Sequence, residues 1–206
     1  SSLAMALQLG LIGAGMIANV HAKGAAAAGG TIAAAWDPRI EAAESLVTEH
    51  GGEAVESLDA LLARDDVQAV VVAVPNHLHA ELAIAALRAG KDVLLEKPMA
   101  TTVAACDEVI AVAAAGESIL QLGFVCRFAP TICAARGLIE DGVIGSVHHA
   151  RATLLRRRGI PGLGGWFTTK ELSGGGCLID IGVHLIDLVM HLARPGRALR
   201  ASGHCQ

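Results

Sequence analysis

The sequence predicts an α/β protein, a doubly wound parallel sheet over residues 3–125 followed by part of a second, open-sheet α/β domain. Three observations carry that expectation. Short apolar runs alternate with helical stretches six times over, glycines punctuate the joins, and residues 69–74 form a continuous run of β-branched residues and alanine. Such a run suits a strand covered on both faces.

The elements follow in order. Residues 7–12 are an apolar run ending at Gly13, and 16–28 are an alanine-rich stretch of high helix propensity, stopped by Gly29 and Gly30. Residues 31–36 repeat the apolar run, and 39–50 carry helical spacing up to Gly51 and Gly52. A short strand at 53–55 and a short helix at 58–63 precede the run at 69–74. A helix at 77–88 stops before Gly90, a strand at 92–95 leads to a helix at 101–115 stopped at Gly116, and 119–124 is the sixth strand. Repeated βα units with short loops predict a parallel sheet with helices on both faces. The character then changes to a helix over 131–140, a long strand with polar alternation over 146–157, a glycine-rich loop over 160–176 and an amphipathic helix over 178–192. A boundary near Phe128 to Pro130 divides the chain into 1–127 and 128–206.

Composition narrows the function classes. Hydrophobic residues make up 53% of the 206 and charged residues 17%, which supplies a core and argues against a disordered chain. A net charge of -4, a single dense basic run at Arg156 to Arg158, and 2% aromatics without tyrosine give no phosphate attraction and no base-stacking platform, so no nucleic-acid partner is expected. Five cysteines without a C-x-x-C pair suggest neither a disulfide framework nor a cysteine zinc site, and fit a reducing cytoplasm. No run of about 18 uninterrupted apolar residues is present, so no transmembrane helix is expected. The apolar opening lacks a basic flank and reads as a first strand, not as a signal peptide.

Gly13-Ala14-Gly15-Met16-Ile17-Ala18 matches G-x-G-x-x-G/A directly after a strand and at the mouth of a helix. Gly13 permits the tight turn, Gly15 lets a pyrophosphate approach the backbone, Met16 and Ile17 open a helix whose free N–H groups face the phosphates, and Ala18 keeps helix and strand close. Asp37 ends the second strand at about the 20-residue spacing of the acid that accepts from an adenosine ribose hydroxyl. The pattern predicts a Rossmann nucleotide-binding domain that prefers NAD. Arg39, close behind the acid, could accommodate a 2′-phosphate and admits NADP. The bland reading, in which the small residues only let helix and sheet pack, is disfavoured by the acid at the right distance.

Further motifs follow the glycine turn: Val74-Pro75-Asn76 with His79 one turn later, Ala89-Gly90-Lys91, and Glu96-Lys97-Pro98. With them the chain resembles the Gfo/Idh/MocA family, the glucose-fructose oxidoreductases and inositol dehydrogenases. Gly123-Phe124, Arg127-Phe128 and Pro130 are similar to that family's domain junction, and Gly174-Gly175-Gly176 with Asp180, Gly182 and His184 to its second signature. The resemblance implies an NAD(P)-dependent oxidoreductase acting on a secondary hydroxyl of a sugar, cyclitol or related polyol. It implies that Pro75, Asn76, His79, Glu96 and Lys97 lie beside the cofactor, that Lys97 is the catalytic lysine before a cis Pro98, and that His184 is the general acid/base, with Asp180 positioning it or binding a neighbouring hydroxyl. It also implies a homo-oligomer, dimer or tetramer. The family embraces NAD-dependent glycosidases and reductases of non-sugar substrates as well, and a cofactor-binding module without turnover is the alternative outside enzymes.

Residue chemistry stands beside the resemblance. On its own Lys97 reads as a surface lysine paired with Glu96, and the motif reverses those odds. Asp180 and His184 are spaced i, i+4, with Asp187 and His191 continuing the stripe. Histidine suits proton transfer near neutral pH. A metal held by the stripe is not expected, because no H-E-x-x-H or cysteine set accompanies it, and Asp187 and His191 read as solvated or capping residues. His21 receives no role. The length is the anomaly: about 125 residues serve the first domain, leaving roughly 80 for a second of typical domain size. The family continues beyond this point, so most of a second sheet is expected to be absent from these 206 residues.

Overall fold

The computed structural model describes residues 6–157, 164–194 and 196–204. These pack as two compact units, residues 6–123 with 164–176, and residues 124–157 with 177–204. The segment 164–176 belongs with the first unit, on the far side of residues 124–157 in the chain. Arg158, the start of the glycine-rich loop and Cys205 lie outside the described residues.

In chain order the first unit contains β1 (Gln8–Ile12), α1 (Met16–Ala27), β2 (Thr31–Trp36), α2 (Ile40–His50), β3 (Glu53–Ala54), α3 (Leu58–Leu62), β4 (Ala69–Val72), α4 (His79–Arg88), β5 (Asp92–Leu95), α5 (Val103–Ala115) and β6 (Leu120–Leu122). Every strand and helix expected up to residue 124 is present. The ends differ where local turns intervene: β4 stops at Val72, and a 3₁₀ turn at Asn76–Leu78 leads into α4. All six strands run parallel in the order β3-β2-β1-β4-β5-β6.

The apolar runs explain the double covering. Successive strand side chains point to opposite faces, so Ile12, Ala34, Val70, Val72 and Leu95 pack with α3, α4 and α5 on one side. Leu11, Ala35 and Val71 pack with Ala18 and Ala22 of α1 and Ala43 and Leu46 of α2 on the other. Each fully buried Val or Leu contributes on the order of 1.5–3 kcal/mol. Ser57 and Thr102 cap α3 and α5 by accepting from the amides of Ala60 and Ala105.

After the sheet come α6 (Pro130–Glu140), α7 (Lys170–Ser173) and α8 (Val183–Ala193). Proline at the start of α6 costs no hydrogen bond there. Residues 146–157, expected as a long strand, form none. An extended segment becomes a strand only when a neighbour pairs with its amides, and among the described residues nothing pairs with this one. The glycine-rich loop carries a 3₁₀ turn at Trp166–Thr168 and then α7. The expected amphipathic helix exists, but its first turn, Leu178–Gly182, is a π turn.

One stretch, Lys170–Ala193, is long and apolar enough to cross a membrane by length and composition alone, although it holds no uninterrupted apolar run of about 18 residues. The expectation counted uninterrupted apolar residues, whereas a mean hydropathy tolerates Asp180, His184, Asp187 and His191 among many aliphatics. The helical path within that stretch breaks at Gly174, where φ is 83°.

Candidate functional site

Parallel strands place all their carboxyl ends on one edge, and the strand order reverses between β1 and β4, where open α/β sheets form a ligand crevice. The glycine turn leaves β1 at this point. Gly13 has φ 94°, and a Cβ there would stand 2.5 Å from the Ala73 carbonyl oxygen and 2.9 Å from Val74 Cγ1. The position is therefore held for glycine by the approach of β4. Gly15 differs: its φ is -80°, and a Cβ there would meet nothing within 4 Å.

That open space adjoins the N-terminus of α1, which has no side-chain cap and no acidic residue in its first turn. Unpaired amides and the positive helix end therefore remain for an anion. Met16 and Ile17 are exposed, at 79% and 41%, while Ala18 is fully buried against the sheet. Asp37 follows β2. Its Oδ2 accepts from the Ala14 amide at 3.0 Å, and its Oδ1 accepts from the Arg39 amide at 3.0 Å and from Arg39 Nε at 3.4 Å. Three donors leave part of a carboxylate's roughly four acceptor sites for a ribose hydroxyl. The open cradle, the uncapped helix end and the acid fit a dinucleotide.

The exits of β4 and β5 bring the next residues to the same edge. Lys97 is partly buried and precedes Pro98 through a cis peptide bond, as the resemblance implied. Glu96 is turned to His21 of α1, whose Nε2 lies 2.8 Å from Oε1, while Oε2 accepts from the Lys97 amide at 3.1 Å. Burial raises the Glu96 carboxyl, but the His21 hydrogen bond and the nearby positive groups outweigh it and hold it below the usual carboxylate range. The Lys97 amide thus donates to the Glu96 carboxylate, and His21, which sequence reading had left without a role, is a side-chain partner of that acid.

Asn76 and His79 both contact backbone carbonyls. Asn76, 7% exposed, donates from Nδ2 to the Ser173 carbonyl at 2.8 Å and so holds α7 against the unit. His79, 1% exposed, sets Nδ1 2.6 Å from the Pro98 carbonyl and Nε2 2.9 Å from the Val74 carbonyl. Burial pushes its imidazole below the ordinary range against the pull of both carbonyls. Asn76 Nδ2 carries a second hydrogen beyond the one given to Ser173. Pro75, with φ -58° and ψ 145°, shapes the exit itself.

The second unit holds the other expected groups. Asp180 lies in the π turn and His184 in the first turn of α8, both partly buried. Single π turns inside helices recur at functional sites. His184 Nδ1 lies 3.9 Å from Cys126 Sγ, and its ring meets Phe124 edge-on at 6.2 Å. The Arg127 guanidinium covers the Phe124 ring at 5.4 Å and grips Asp187, with Nε 3.0 and 2.8 Å from its two oxygens and Nη2 bonded to Oδ1.

Asp187 is therefore a buried, paired acid and not the solvated residue expected. Arg136 Nη1 donates to His191 Nε2 at 3.0 Å, and burial together with that guanidinium holds His191 below its ordinary range. Sequence reading missed Arg127 and Cys126 as neighbours of the helix, because no local spacing joins residues about 60 apart. No group of three or more potential metal ligands is gathered among the described residues.

Comparison with known proteins gives this geometry a context. Residues 7–124 match the GFO/IDH/MocA oxidoreductase family with NAD-binding Rossmann fold, and residues 132–206 match a GFO/IDH/MocA C-terminal domain. The chain is 36% identical to D-glucoside 3-dehydrogenase of Escherichia coli over 90% of its own length and 54% of that protein. It is 39% identical to inositol 2-dehydrogenase of Rhizobium meliloti over 72% of its length and 45% of that protein. The structure of levoglucosan dehydrogenase in complex with NADH and levoglucosan superposes with a TM-score of 0.80 at 26% identity, covering 91% of this chain and 54% of that one. The chain thus spans about half the length of these relatives. With its glycine turn, acid and Rossmann sheet inside the matched region, the chain belongs to the GFO/IDH/MocA family of NAD-binding oxidoreductases.

Proposed function

We propose that the protein is an NAD-dependent oxidoreductase that moves a hydride between the nicotinamide and the carbon bearing a secondary hydroxyl of a sugar, cyclitol or related polyol. The observation that carries the reading is the placement of Lys97, at the exit of β5, on the same sheet edge as the open Gly15 cradle and Asp37. Relatives named as glucoside and inositol dehydrogenases supply the substrate class.

Hydride acceptance is the chemistry the cofactor supplies when bound. The chain's own groups do the rest. The α1 amides and Gly15 would hold the pyrophosphate, and Asp37 would accept from the ribose. The Lys97 ammonium holds the substrate oxygen and stabilises negative charge as it develops there. His184 would take the hydroxyl proton of the substrate. Asp180 orients the substrate or the imidazole. Arg39 beside Asp37 keeps NADP as the weaker cofactor, and a cytoplasmic homo-oligomer completes the proposal.

Titration with NADH by fluorescence, followed by a polyol panel read at the nicotinamide absorbance band, tests it. Reduction of NAD by at least one polyol, lost in Lys97→Ala and His184→Ala, is expected. Tight cofactor binding with no reduction by any polyol would favour a glycosidase with internal redox or a binding module, and faster turnover with NADP would reverse the cofactor assignment.

A further inference from the structure

We propose that His79 is a positioning residue for Lys97, its imidazole strapping the carbonyl of Pro98, directly after the lysine, to the start of α4. The inference rests on the reading of Lys97 as the catalytic lysine and adds a residue that acts through it.

Lys97 lies between two fixed points. On one side its own amide donates to Glu96 Oε2 at 3.1 Å, and Glu96 is held in turn by His21. On the other side the Pro98 carbonyl sits 2.6 Å from His79 Nδ1. The opposite ring nitrogen lies 2.9 Å from the carbonyl of Val74, at the exit of the neighbouring strand. The ring therefore lies between two loops that leave adjacent strands on the site's edge, and its one N–H ties the loop after β5 to the start of α4. It does so from inside the fold, at 1% exposure, where water cannot replace a lost bond.

The chemistry of the side chain is specific to the task. Imidazole carries nitrogens on two separated positions of one rigid ring; in the neutral ring one of them donates, and the shorter contact gives that N–H to the Pro98 carbonyl. An amide of similar size concentrates its donors on a single nitrogen and reaches one carbonyl or the other. Near-attack geometry is sensitive to displacements of about 1 Å, which cost on the order of 100-fold in rate. Loosening the Pro98 carbonyl should therefore appear in turnover more than in cofactor binding.

The experiment compares His79→Gln, Lys97→Ala and the double variant in the full chain. His79→Gln should lower kcat about 10–100-fold with the polyol KM and the NADH Kd little changed. In the Lys97→Ala background it should lower kcat no further, because residues acting as one unit are not additive. An unchanged kcat in His79→Gln, or a loss that repeats in full on Lys97→Ala, overturns the proposal. If Lys97→Ala keeps its turnover, the catalytic reading falls, and the strap is then judged by spectroscopy. Reductive methylation with isotopically labelled formaldehyde gives Lys97 an NMR signal, identified by its loss in Lys97→Ala. His79→Gln should move that signal, and an unmoved signal overturns the strap. Should His79→Gln not fold, the unaltered protein must show an exchange-protected His79 ring N–H proton, and its absence is equally decisive.

Discussion

Gly13 and Gly15 stand two residues apart in one motif, yet alanine at each should do opposite things. At Gly13 the added Cβ meets the Ala73 carbonyl at 2.5 Å, and φ is 94°. A side chain in that backbone region costs about 1–2 kcal/mol, and forcing β1 and β4 apart adds roughly 1–3 kcal/mol as overpacking does. At about 2–4 °C per kcal/mol for a chain of this size, Gly13→Ala should lower Tm by roughly 5–15 °C. At Gly15 φ is -80° and a Cβ meets nothing within 4 Å. Alanine there should leave Tm unchanged or raise it, since a compatible glycine replacement gains about 0.4–1 kcal/mol.

Its cost should fall on the ligand, because the methyl would occupy the space through which the proposed pyrophosphate reaches the α1 amides. NADH Kd should rise about tenfold or more, equivalent to at least ~1.4 kcal/mol. Thermal unfolding by circular dichroism and NADH fluorescence titration read the two effects separately. If Gly15→Ala binds NADH as tightly as the parent, the cradle is not where the phosphates sit. A Gly13→Ala protein with an unaltered Tm would show that the Ala73 carbonyl is not the constraint described.

Other perturbations reach the rest of the site. Asp37→Asn removes the charge from the acceptor of Ala14 and Arg39 and should weaken NADH about 10–100-fold, as loss of a charge-assisted hydrogen bond of ~1.5–3 kcal/mol does, while NADP weakens less; equal loss for both cofactors in titrations would refute the ribose role. His79 is held neutral in the fold, with its pKa below the ordinary 6.5, so the unfolded chain takes the proton first. Its stabilisation is then fully present above about pH 6.5 and falls as pH drops toward the folded value, by at most ~1.4 kcal/mol per pH unit. The gap in urea midpoint between the parent and His79→Gln should narrow from pH 7 to pH 5.5, and a constant gap would refute it. Arg127→Met strands the buried Asp187 carboxylate and should destabilise the second unit by about 1–3 kcal/mol, discounted because Arg127 is itself 40% exposed. Hydrogen exchange at the α8 amides reads that loss, and unchanged protection would show the pair to be inert.

The first unit was legible because each of its signals is local. Glycines sit at the turns, aliphatic runs mark strands buried on both faces, and the acid after β2 falls at a fixed distance from the glycine turn. The second unit was less so, for reasons visible at particular residues. The stretch 146–157 has the alternation of a strand, but alternation records only which faces differ, while a strand also needs a partner. The π turn at Leu178–Gly182 changes where Asp180 points relative to His184, and nothing in an i, i+4 spacing announces it.

The supporting residues were hidden for a further reason. His21 meets Glu96, His79 meets Pro98 and Val74, and Arg127 meets Asp187 across 60 residues. Each pair is created by the fold, and its members look unremarkable until strands β1, β4 and β5 or helix α8 bring them together. The groups proposed to do chemistry stand in motifs, because a reaction restricts their identity. The groups that hold them in place are restricted only by the geometry between segments. For Lys97 that geometry is two-sided, with a carboxylate on its amide and an imidazole on the carbonyl that follows, so its placement depends on α1 and α4 as much as on the strand that carries it.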